Sequence, residues 1–281
     1  MMREEAKTAG IVGAGVTAHV PRMADEERAP PFQRGLIAGS KAMGAAIREL
    51  KPDLLVVQSA HWVCSFNWYA TVQDPHQGIC VADEAPDLIP GLAYQRKGDA
   101  PYAAQFIAAL QNCGLPALPN STPHYQWDYA ALVPLLYLDP DAELPVVQIA
   151  TVLAADLAEC MRAGHALHEA AVAIGRRVVF LASCALSHEI VRGPSLWPSE
   201  ARMALDKRLI ELLETGNLAL LKAWLPAYCK DAVAEMGGRV LATLLGTLEA
   251  MAGDGNSLRG RLYGDYAQSS GSGNANVLVA R

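Results

Sequence analysis

Three apolar, β-branched runs in this chain each lead to a histidine instead of to an ordinary turn. Residues 11–16 precede His19, residues 53–60 precede His61, and residues 178–187 precede His188. Continuous apolar runs of this kind are typical of strands that are buried on both faces of a sheet. The sequence therefore predicts three imidazoles placed at the ends of three buried strands.

Segments with helical periodicity separate these strands. The predicted helices span residues 36–50, 101–112, 154–174, about 199–214, and 218–251 with a break near Pro226. Alternating strands and helices predict an α/β fold in which a mixed, partly parallel central sheet is flanked by helices. Residues 1–281 are expected to form one domain. Ligands in such sheets gather beyond the carboxyl ends of the strands, so the active site is expected at that rim.

Two segments are predicted to be loops. Residues 80–98 are rich in Pro, Asp and Gly, which favours a long loop that could serve as a lid over the rim. Residues 263–279 contain a run of Gly and Ser and are expected to form a loop that enters a last strand.

The charge pattern excludes some classes of partner. Lys and Arg number 23 against 29 Asp and Glu, the formal net charge is −6, and no basic block stands out. Nucleic acid and anionic membranes are therefore not expected as partners. The first residues are charged, and no apolar run approaches membrane-spanning length, so we expect a cytoplasmic protein.

A glycine pattern near the start imitates a dinucleotide-binding fingerprint. Gly13, Gly15 and Ala18 have the required spacing. That fingerprint must open a helix, however, and residues 19–31 contain Pro21, Pro30 and Pro31, which interrupt one. A nicotinamide or flavin site is therefore disfavoured.

The rim histidines suggest a metal site that needs one further ligand. Neutral imidazoles bind borderline metals, and Glu235, in an otherwise mostly apolar helical segment, is the candidate oxygen donor. Its alternative role is that of a solvated helix charge. Two imidazoles and one carboxylate are typical of Fe(II) oxygenases, although a zinc hydrolase uses the same ligand types.

The other histidines have weaker claims to a functional role. His76 follows Asp74-Pro75 and is expected in a loop. His165 and His168 fall on a polar helix, where we expect them to be exposed rather than metal-bound.

Five short motifs, in order along nearly the whole chain, resemble those of a known family. The family is the class III extradiol dioxygenases of the protocatechuate 4,5-dioxygenase type. The motifs are Ala18-His19-Val-Pro, Ser59-Ala-His61-Trp62, Leu181-Ala-Ser-Cys-Ala-Leu-Ser-His188, Ala234-Glu235-Met and Ser270-Gly-Ser-Gly-Asn-Ala.

The resemblance implies a role for each matched residue. It makes His19, His61 and Glu235 the ligands of Fe(II), and it places His188 at the family's acid/base histidine. The implied substrates are a small catechol- or 2-aminophenol-type aromatic and O2. The implied reaction is cleavage of the aromatic ring.

One position departs from the family pattern. The segment Trp127-Asp128-Tyr129 falls where the family commonly has a histidine that contacts substrate or oxygen. Tyr129 is similar to the residue at this point in the catalytic subunit of 2-aminophenol 1,6-dioxygenase, so Tyr129 is expected to serve catalysis. The nearby His124 could partly replace the lost imidazole, but we favour a plain loop residue.

Alternatives remain at the level of function and partners. A non-enzymatic binding protein on the same fold is one, and the metal-free chain of a heteromer is another, although the intact ligand set argues against both. We expect a homo-oligomer, or a heteromer with a related subunit. Arg22, Arg192 and Arg239 are candidate counter-charges for a substrate carboxylate.

Overall fold

The fold was obtained as a computed structural model, which describes residues 9–193, 195–253, 255 and 257–281. The strands are β1 Gly10–Thr17, β2 Leu54–Cys64, β3 Trp68–Thr71, β4 His76–Cys80, β5 Leu92–Arg96, β6 Ala117–Asn120, β7 Val146–Val152, β8 Arg177–Ser183, β9 Arg259–Ser269 and β10 Ser272–Ala280. The helices are α1 Arg34–Glu49, α2 Ala100–Asn112, α3 Tyr129–Leu138, α4 Leu157–Ala173, α5 Glu200–Thr215, α6 Leu218–Asp231 and α7 Arg239–Gly253.

Eight strands form one mixed sheet in the order β6-β3-β7-β2-β8-β1-β10-β9. The neighbours β7, β2, β8 and β1 are all parallel, whereas β10 pairs antiparallel with β1 and with β9. The predicted α/β class with a partly parallel sheet is confirmed. Because β1, β2 and β8 run in the same direction, their carboxyl ends meet at one rim.

Helices cover both faces of the sheet, which explains why the central strands are apolar without alternation. In β2, Leu54 and Val56 belong to the core beneath α2, α4 and α7, whereas Leu55 and Val57 belong to the core beneath α1 and α3. All four side chains are fully buried. Each such burial contributes roughly 1.5–3 kcal/mol, so a polar residue anywhere in this run would be costly.

The predicted break in the long C-terminal helical segment is displaced along the chain. Pro226 lies inside α6, and the interruption comes at residues 232–238, which include a 3-10 turn at Glu235–Gly238. Val233 and Met236 have positive φ angles of 51° and 50°. Such a conformation is unfavourable for a β-branched residue, and strain of this kind concentrates at functional sites.

The C-terminal segment is predicted as a loop that enters a last strand. The last strand is present as β10, but most of the predicted loop belongs to a hairpin of β9 and β10. β9 and β10 are joined at Ser270 and Gly271, both of which have positive φ, as tight hairpin turns require. A glycine of α1 allows close packing against this hairpin. A Cβ on Gly39 of α1 would lie 2.1 Å from the carbonyl oxygen of Tyr263, so glycine there lets α1 approach β9.

Residues 80–98 also contain more structure than predicted. They include β5, which pairs antiparallel with β4 in a small second sheet, and the longest stretch without a helix or strand is residues 81–91. His76 is the first residue of β4 rather than a loop residue, and its Nε2 lies 3.0 Å from the carbonyl oxygen of Val146.

The expectation that His168 is exposed is wrong. His168 is buried, and its Nδ1 accepts a hydrogen bond from the backbone amide of Ile11 at 3.2 Å. The face of α4 that carries His168 packs against the start of β1, a tertiary contact that helical periodicity does not report. Among the described helices, none combines the length and the apolar character needed to cross a bilayer.

Candidate metal centre and active site

The site begins where the parallel strands end. His19 follows β1 by two residues, and its side chain is buried. His61 lies within β2, in a stretch where the regular pairing with β7 is interrupted between Gln58 and Val63. Irregularities of this kind re-aim a side chain at the edge of a sheet. The rings of His19 and His61 meet edge to face with their centres 5.2 Å apart.

A buried hydroxyl orients His19. Ser183, the last residue of β8, donates from Oγ to the carbonyl oxygen of Ala130 at 2.5 Å. Its Oγ also lies 3.2 Å from Nδ1 of His19. Because the hydroxyl proton is already used, His19 must be the donor in this second contact, which leaves the lone pair on its Nε2.

Glu235 reaches the same point from the strained turn after α6. Its Oε1 lies 3.6 Å from Nε2 of His19 and 3.8 Å from Nε2 of His61. Its Oε2 accepts a hydrogen bond from the backbone amide of Ala185 at 2.6 Å. The prediction that Glu235 belongs to a helix is therefore corrected: the turn, not a helical face, points the carboxylate inward.

The electrostatics of the cluster keep Glu235 ionised. Burial opposes ionisation, but the imidazoles around the carboxyl, His19 first among them, outweigh that effect and lower its pKa to about 2. Burial also lowers the pKa of His61, and the adjacent His19 lowers it further. The group therefore combines a carboxylate with an imidazole that favours its neutral, metal-binding form.

His188 stands beside this trio. Its Nε2 lies 3.3 Å from Oε1 of Glu235, and its side chain is 29% exposed, against 4% for Glu235. The backbone of His188 is held on two sides. Its amide donates to the carbonyl oxygen of Val233 at 3.0 Å, and the residue forms a β-bridge with Ser272. The open side of the imidazole faces a cavity.

Potential metal ligands converge at this point. The ligand atoms of His19, His61 and Glu235 all lie within 4.8 Å of one another, and within the described ranges no other group of three His, Cys, Asp or Glu side chains does so. Two nitrogen donors and one oxygen donor from separate elements suit a divalent transition metal. The lone pair on Nε2 of His19 and the ionised carboxylate of Glu235 are both suited to bind such a metal.

Tyr129, the first residue of α3, completes the wall next to His61. Its hydroxyl lies 3.0 Å from Nε2 of His61, and the two rings are 4.5 Å apart. Asp128 caps this helix by accepting from the amide of Ala131, and the same oxygen accepts from the hydroxyl of Ser59 at 2.7 Å. Asp128 thus ties the Tyr129 motif to the His61 motif.

A cavity of about 290 Å³ lies over the cluster, at the lower end of the range for small-molecule sites. It is lined by His19, Tyr129 and His188, and also by Arg22 and Glu84. A larger groove of about 610 Å³ lies beyond Trp62 but contains none of the four clustered residues. The smaller cavity is the better candidate because the polar groups converge there.

The model of a known family matches residues 13–279, which is nearly the whole chain. Its description is the catalytic LigB subunit of aromatic ring-opening dioxygenase. The chain belongs to the LigB family of class III extradiol dioxygenases. The match spans every residue of the site, from His19 to the Ser270–Ser272 turn, so the family resemblance inferred from the five motifs is confirmed.

Relatives of this LigB-family chain include dioxygenases named for aromatic substrates. It is 26% identical over 247 residues to 3,4-dihydroxyphenylacetate 2,3-dioxygenase of Escherichia coli, covering 84% of the chain and 89% of the relative. It is 26% identical to the beta subunit and 27% identical to the alpha subunit of 2-aminophenol 1,6-dioxygenase from Pseudomonas sp. These matches cover 80% and 74% of the chain, and 81% and 78% of the respective subunits.

The fold also matches a solved structure. An uncharacterized protein, JW3007, from Escherichia coli K12 superimposes with a TM-score of 0.67 at 17% sequence identity, covering 96% of this chain and all of that one. At this identity the likeness concerns the fold alone.

Several predicted candidates lie away from the LigB-family site. His124 is on an exposed turn and Arg192 is exposed. Arg239 donates to the carbonyl oxygens of Leu153, Ala155 and Met236. Its guanidinium therefore connects neighbouring loops and does not serve as a counter-charge for a substrate. Of the three arginines considered as counter-charges, Arg22 is the one in the cavity wall.

Three contributors to the site were missed in the sequence. Ser183 orients His19, Glu84 contacts His61, and Asp206 holds the segment before His188. Ser183 could have been noticed, because it ends a buried strand just as the histidines do. Glu84 lies in the segment predicted as a lid and Asp206 in a predicted helix, but nothing in either segment singles out that residue, and only the fold brings them to the site.

Proposed function

We propose that this chain is a non-haem Fe(II)-dependent extradiol dioxygenase that opens the ring of a catechol- or 2-aminophenol-type aromatic with O2. One observation carries the proposal: in a LigB-family fold, the nitrogens of His19 and His61 and the carboxylate of Glu235 converge beneath a cavity that His188 also lines. A binding protein without activity has no need for that combination.

In this proposal His19, His61 and Glu235 are the metal ligands. Two imidazoles and one carboxylate leave coordination positions open, an arrangement typical of Fe(II) oxygenases. When bound, Fe(II) would supply the coordination of two adjacent ring substituents and the activation of O2. The amide of Ala185 and the hydroxyl of Ser183 keep the ligands in place by occupying their remaining hydrogen-bonding atoms.

His188 is proposed as the group that moves protons. It is outside the trio of ligands, yet its Nε2 is 3.3 Å from Oε1 of Glu235 and its ring lines the cavity. Histidine is the side chain best suited to exchange a proton near neutral pH. We assign to Nε2 of His188 the transfer of a proton to and from the reacting substrate.

Tyr129 is proposed as a fixed hydrogen-bond donor. Burial raises the pKa of its hydroxyl, and the neighbouring Glu84 raises it further, so the phenol stays protonated at neutral pH. It can therefore donate one hydrogen bond into the cavity but cannot act as a base there. This leaves the acid/base work to His188.

The proposed assembly follows from the relatives. Both subunits of 2-aminophenol 1,6-dioxygenase are similar to this chain, so either a homo-oligomer or a heteromer with a related chain is consistent with the family. Because all three ligand residues are present, we propose that this chain is catalytic in either assembly, in the cytoplasm.

Oxygen uptake with product analysis tests the proposed function. The chain is loaded anaerobically with Fe(II) and assayed with catechol, protocatechuate, gallate and 2-aminophenol under isotope-labelled O2. We expect uptake of one O2 per ring with at least one substrate. In the product, one labelled atom should be found on each carbon of the cleaved bond, which joins a hydroxyl-bearing carbon to its neighbour outside the diol or aminophenol pair. No uptake with any of these substrates by iron-loaded protein would contradict the proposal.

A further inference from the structure

The two imidazoles of the proposed centre are oriented by groups of different kinds. His19 is held by Ser183, which is fully buried in the sheet. His61 faces Glu84, whose Oε1 lies 3.4 Å from Nδ1 of His61 and whose side chain is 54% exposed. One ligand is therefore fixed by the core and the other by a surface loop, residues 81–91.

The Glu84 carboxylate is also close to Tyr129, which lies next to His61 in the cavity wall. It lies close enough to the Tyr129 hydroxyl to raise its pKa, and that hydroxyl is itself 3.0 Å from Nε2 of His61. Glu84, His61 and Tyr129 thus form a triangle at the edge of the cavity. Ala85 and Leu88 of the same loop line the cavity too, so the loop covers it while Glu84 makes these contacts.

We infer that Glu84 is a positioning residue that orients His61 for metal binding and makes tight binding depend on the loop 81–91 lying over the cavity. The inference rests on the proposed function, because it assigns His61 to the metal. It concerns a residue that is neither a ligand nor a proton carrier in that proposal.

The physical reason lies in the two nitrogens of the imidazole. A carboxylate beside Nδ1 favours the form of His61 that carries its proton there, which leaves the Nε2 lone pair available to a metal. Tyr129 donates to that lone pair when no ion is bound. When Nε2 binds a metal, the Tyr129 hydroxyl still has the Glu84 carboxylate as an acceptor, so no buried donor is left without a partner.

The same loop provides matched controls. Asp83 and Asp87 are exposed acidic residues within the loop, and among the described residues neither forms an ion pair. Their conversion to amides removes the same charge from the same loop without removing a contact to His61. A general effect of loop charge on cation binding would appear in all three variants.

The test is Fe(II) affinity, measured anaerobically by competition with a chromophoric chelator. We expect Glu84→Ala to weaken Fe(II) binding by about 10–100-fold, and Glu84→Gln, which keeps an acceptor oxygen, to lose less. Asp83→Asn and Asp87→Asn should match the wild type. The metal-free variants should unfold at the wild-type temperature, because an exposed carboxylate contributes little to stability.

A second measurement determines which nitrogen of the His61 imidazole carries the proton. In metal-free protein with labelled histidines, nitrogen NMR at pH 7.5 should show the His61 proton on Nδ1, and Glu84→Ala should shift the population toward Nε2. Wild-type Fe(II) affinity in Glu84→Ala, or an equal loss in Asp83→Asn, would overturn the inference. Failure of the wild type to bind Fe(II) would instead refute the proposed function.

Discussion

Asp206 accepts two hydrogen bonds from Ser187, the residue immediately before His188: the amide donates to Oδ1 at 3.0 Å and the hydroxyl to Oδ2 at 2.6 Å. The hydroxyls of Tyr228 and Tyr266 also donate to this carboxylate, at 2.8 and 2.7 Å. Asp206 is fully buried and joins α5, α6 and β9 to the segment that carries His188.

This network predicts that Asp206 positions His188. Asp206→Ala leaves buried donors without acceptors at about 1–3 kcal/mol each, so we expect the free energy of unfolding to fall by about 3 kcal/mol or more. Asp206→Asn keeps the shape and should cost about 1–3 kcal/mol while lowering kcat more than Fe(II) affinity.

Urea unfolding measures the free energy of unfolding of each variant. Steady-state kinetics and Fe(II) titration of the same variants measure kcat and Fe(II) affinity. Tyr266→Phe is the control, because it removes one donor and leaves the bonds to Ser187 in place, at a cost of about 1 kcal/mol. Unchanged kcat in a folded Asp206→Asn variant would show that the network supports the fold but not His188.

His188 is expected to be separable from metal binding. Because it lies outside the converging trio, His188→Gln should retain Fe(II) while turnover falls by roughly 10²–10⁴-fold, as expected for loss of a general acid–base group. Metal analysis and oxygen uptake on the same sample provide the comparison. Loss of iron in this variant would make His188 a ligand.

Tyr129 is expected to tune substrate choice toward 2-aminophenol-type rings. A neutral phenol near the amine of such a substrate avoids the positive charge that a histidine could carry. The change Tyr129→His should shift the ratio of kcat/KM for 2-aminophenol over catechol toward catechol, by at most about tenfold for one hydrogen bond. Tyr129→Phe serves as the control for loss of the hydroxyl alone. A ratio that favours catechol in the wild type and does not change in Tyr129→His would refute this assignment.

Arg22 lines the cavity, and we predict that it recognises a substrate carboxylate. Replacing it by Met should lower kcat/KM for 3,4-dihydroxyphenylacetate or protocatechuate by about 10–100-fold, the size of a charged hydrogen bond. Catechol, which has no carboxylate, should be unaffected. Equal losses for carboxylated and plain catechols would show that Arg22 acts on the fold or on the metal instead.

The strands of the rim were predictable because a strand that is buried on both faces is a continuous apolar run in the sequence. β1, β2 and β8 are continuous apolar runs, and parallel pairing brings their carboxyl ends to one rim. The three histidines are not all at strand ends as predicted: His19 follows β1 by two residues, His61 lies within β2, and His188 follows β8 by five residues. The sequence order of the motifs added the family and the role expected of each residue.

The turn that presents Glu235 could not be predicted in the same way. The positive φ of Val233 contradicts the local preference of a β-branched residue, and it is maintained by tertiary contacts such as the bond from the amide of His188 to the carbonyl oxygen of Val233. The Gly- and Ser-rich strand residues of β9 and β10 were mistaken for a loop because their small size serves packing against α1 and β1. A Cβ on Gly264 of β9, for example, would lie 2.1 Å from the carbonyl oxygen of Gly35 in α1.

The central claim is that His19, His61 and Glu235 hold the iron, and metal content after anaerobic loading tests it most directly. Wild-type protein and the single variants His19→Ala, His61→Ala and Glu235→Ala are loaded with Fe(II), freed of excess metal and analysed for bound iron and oxygen uptake. We predict stoichiometric iron and turnover in the wild type, and loss of both in each variant. Stoichiometric iron with full turnover in Glu235→Ala would contradict the account.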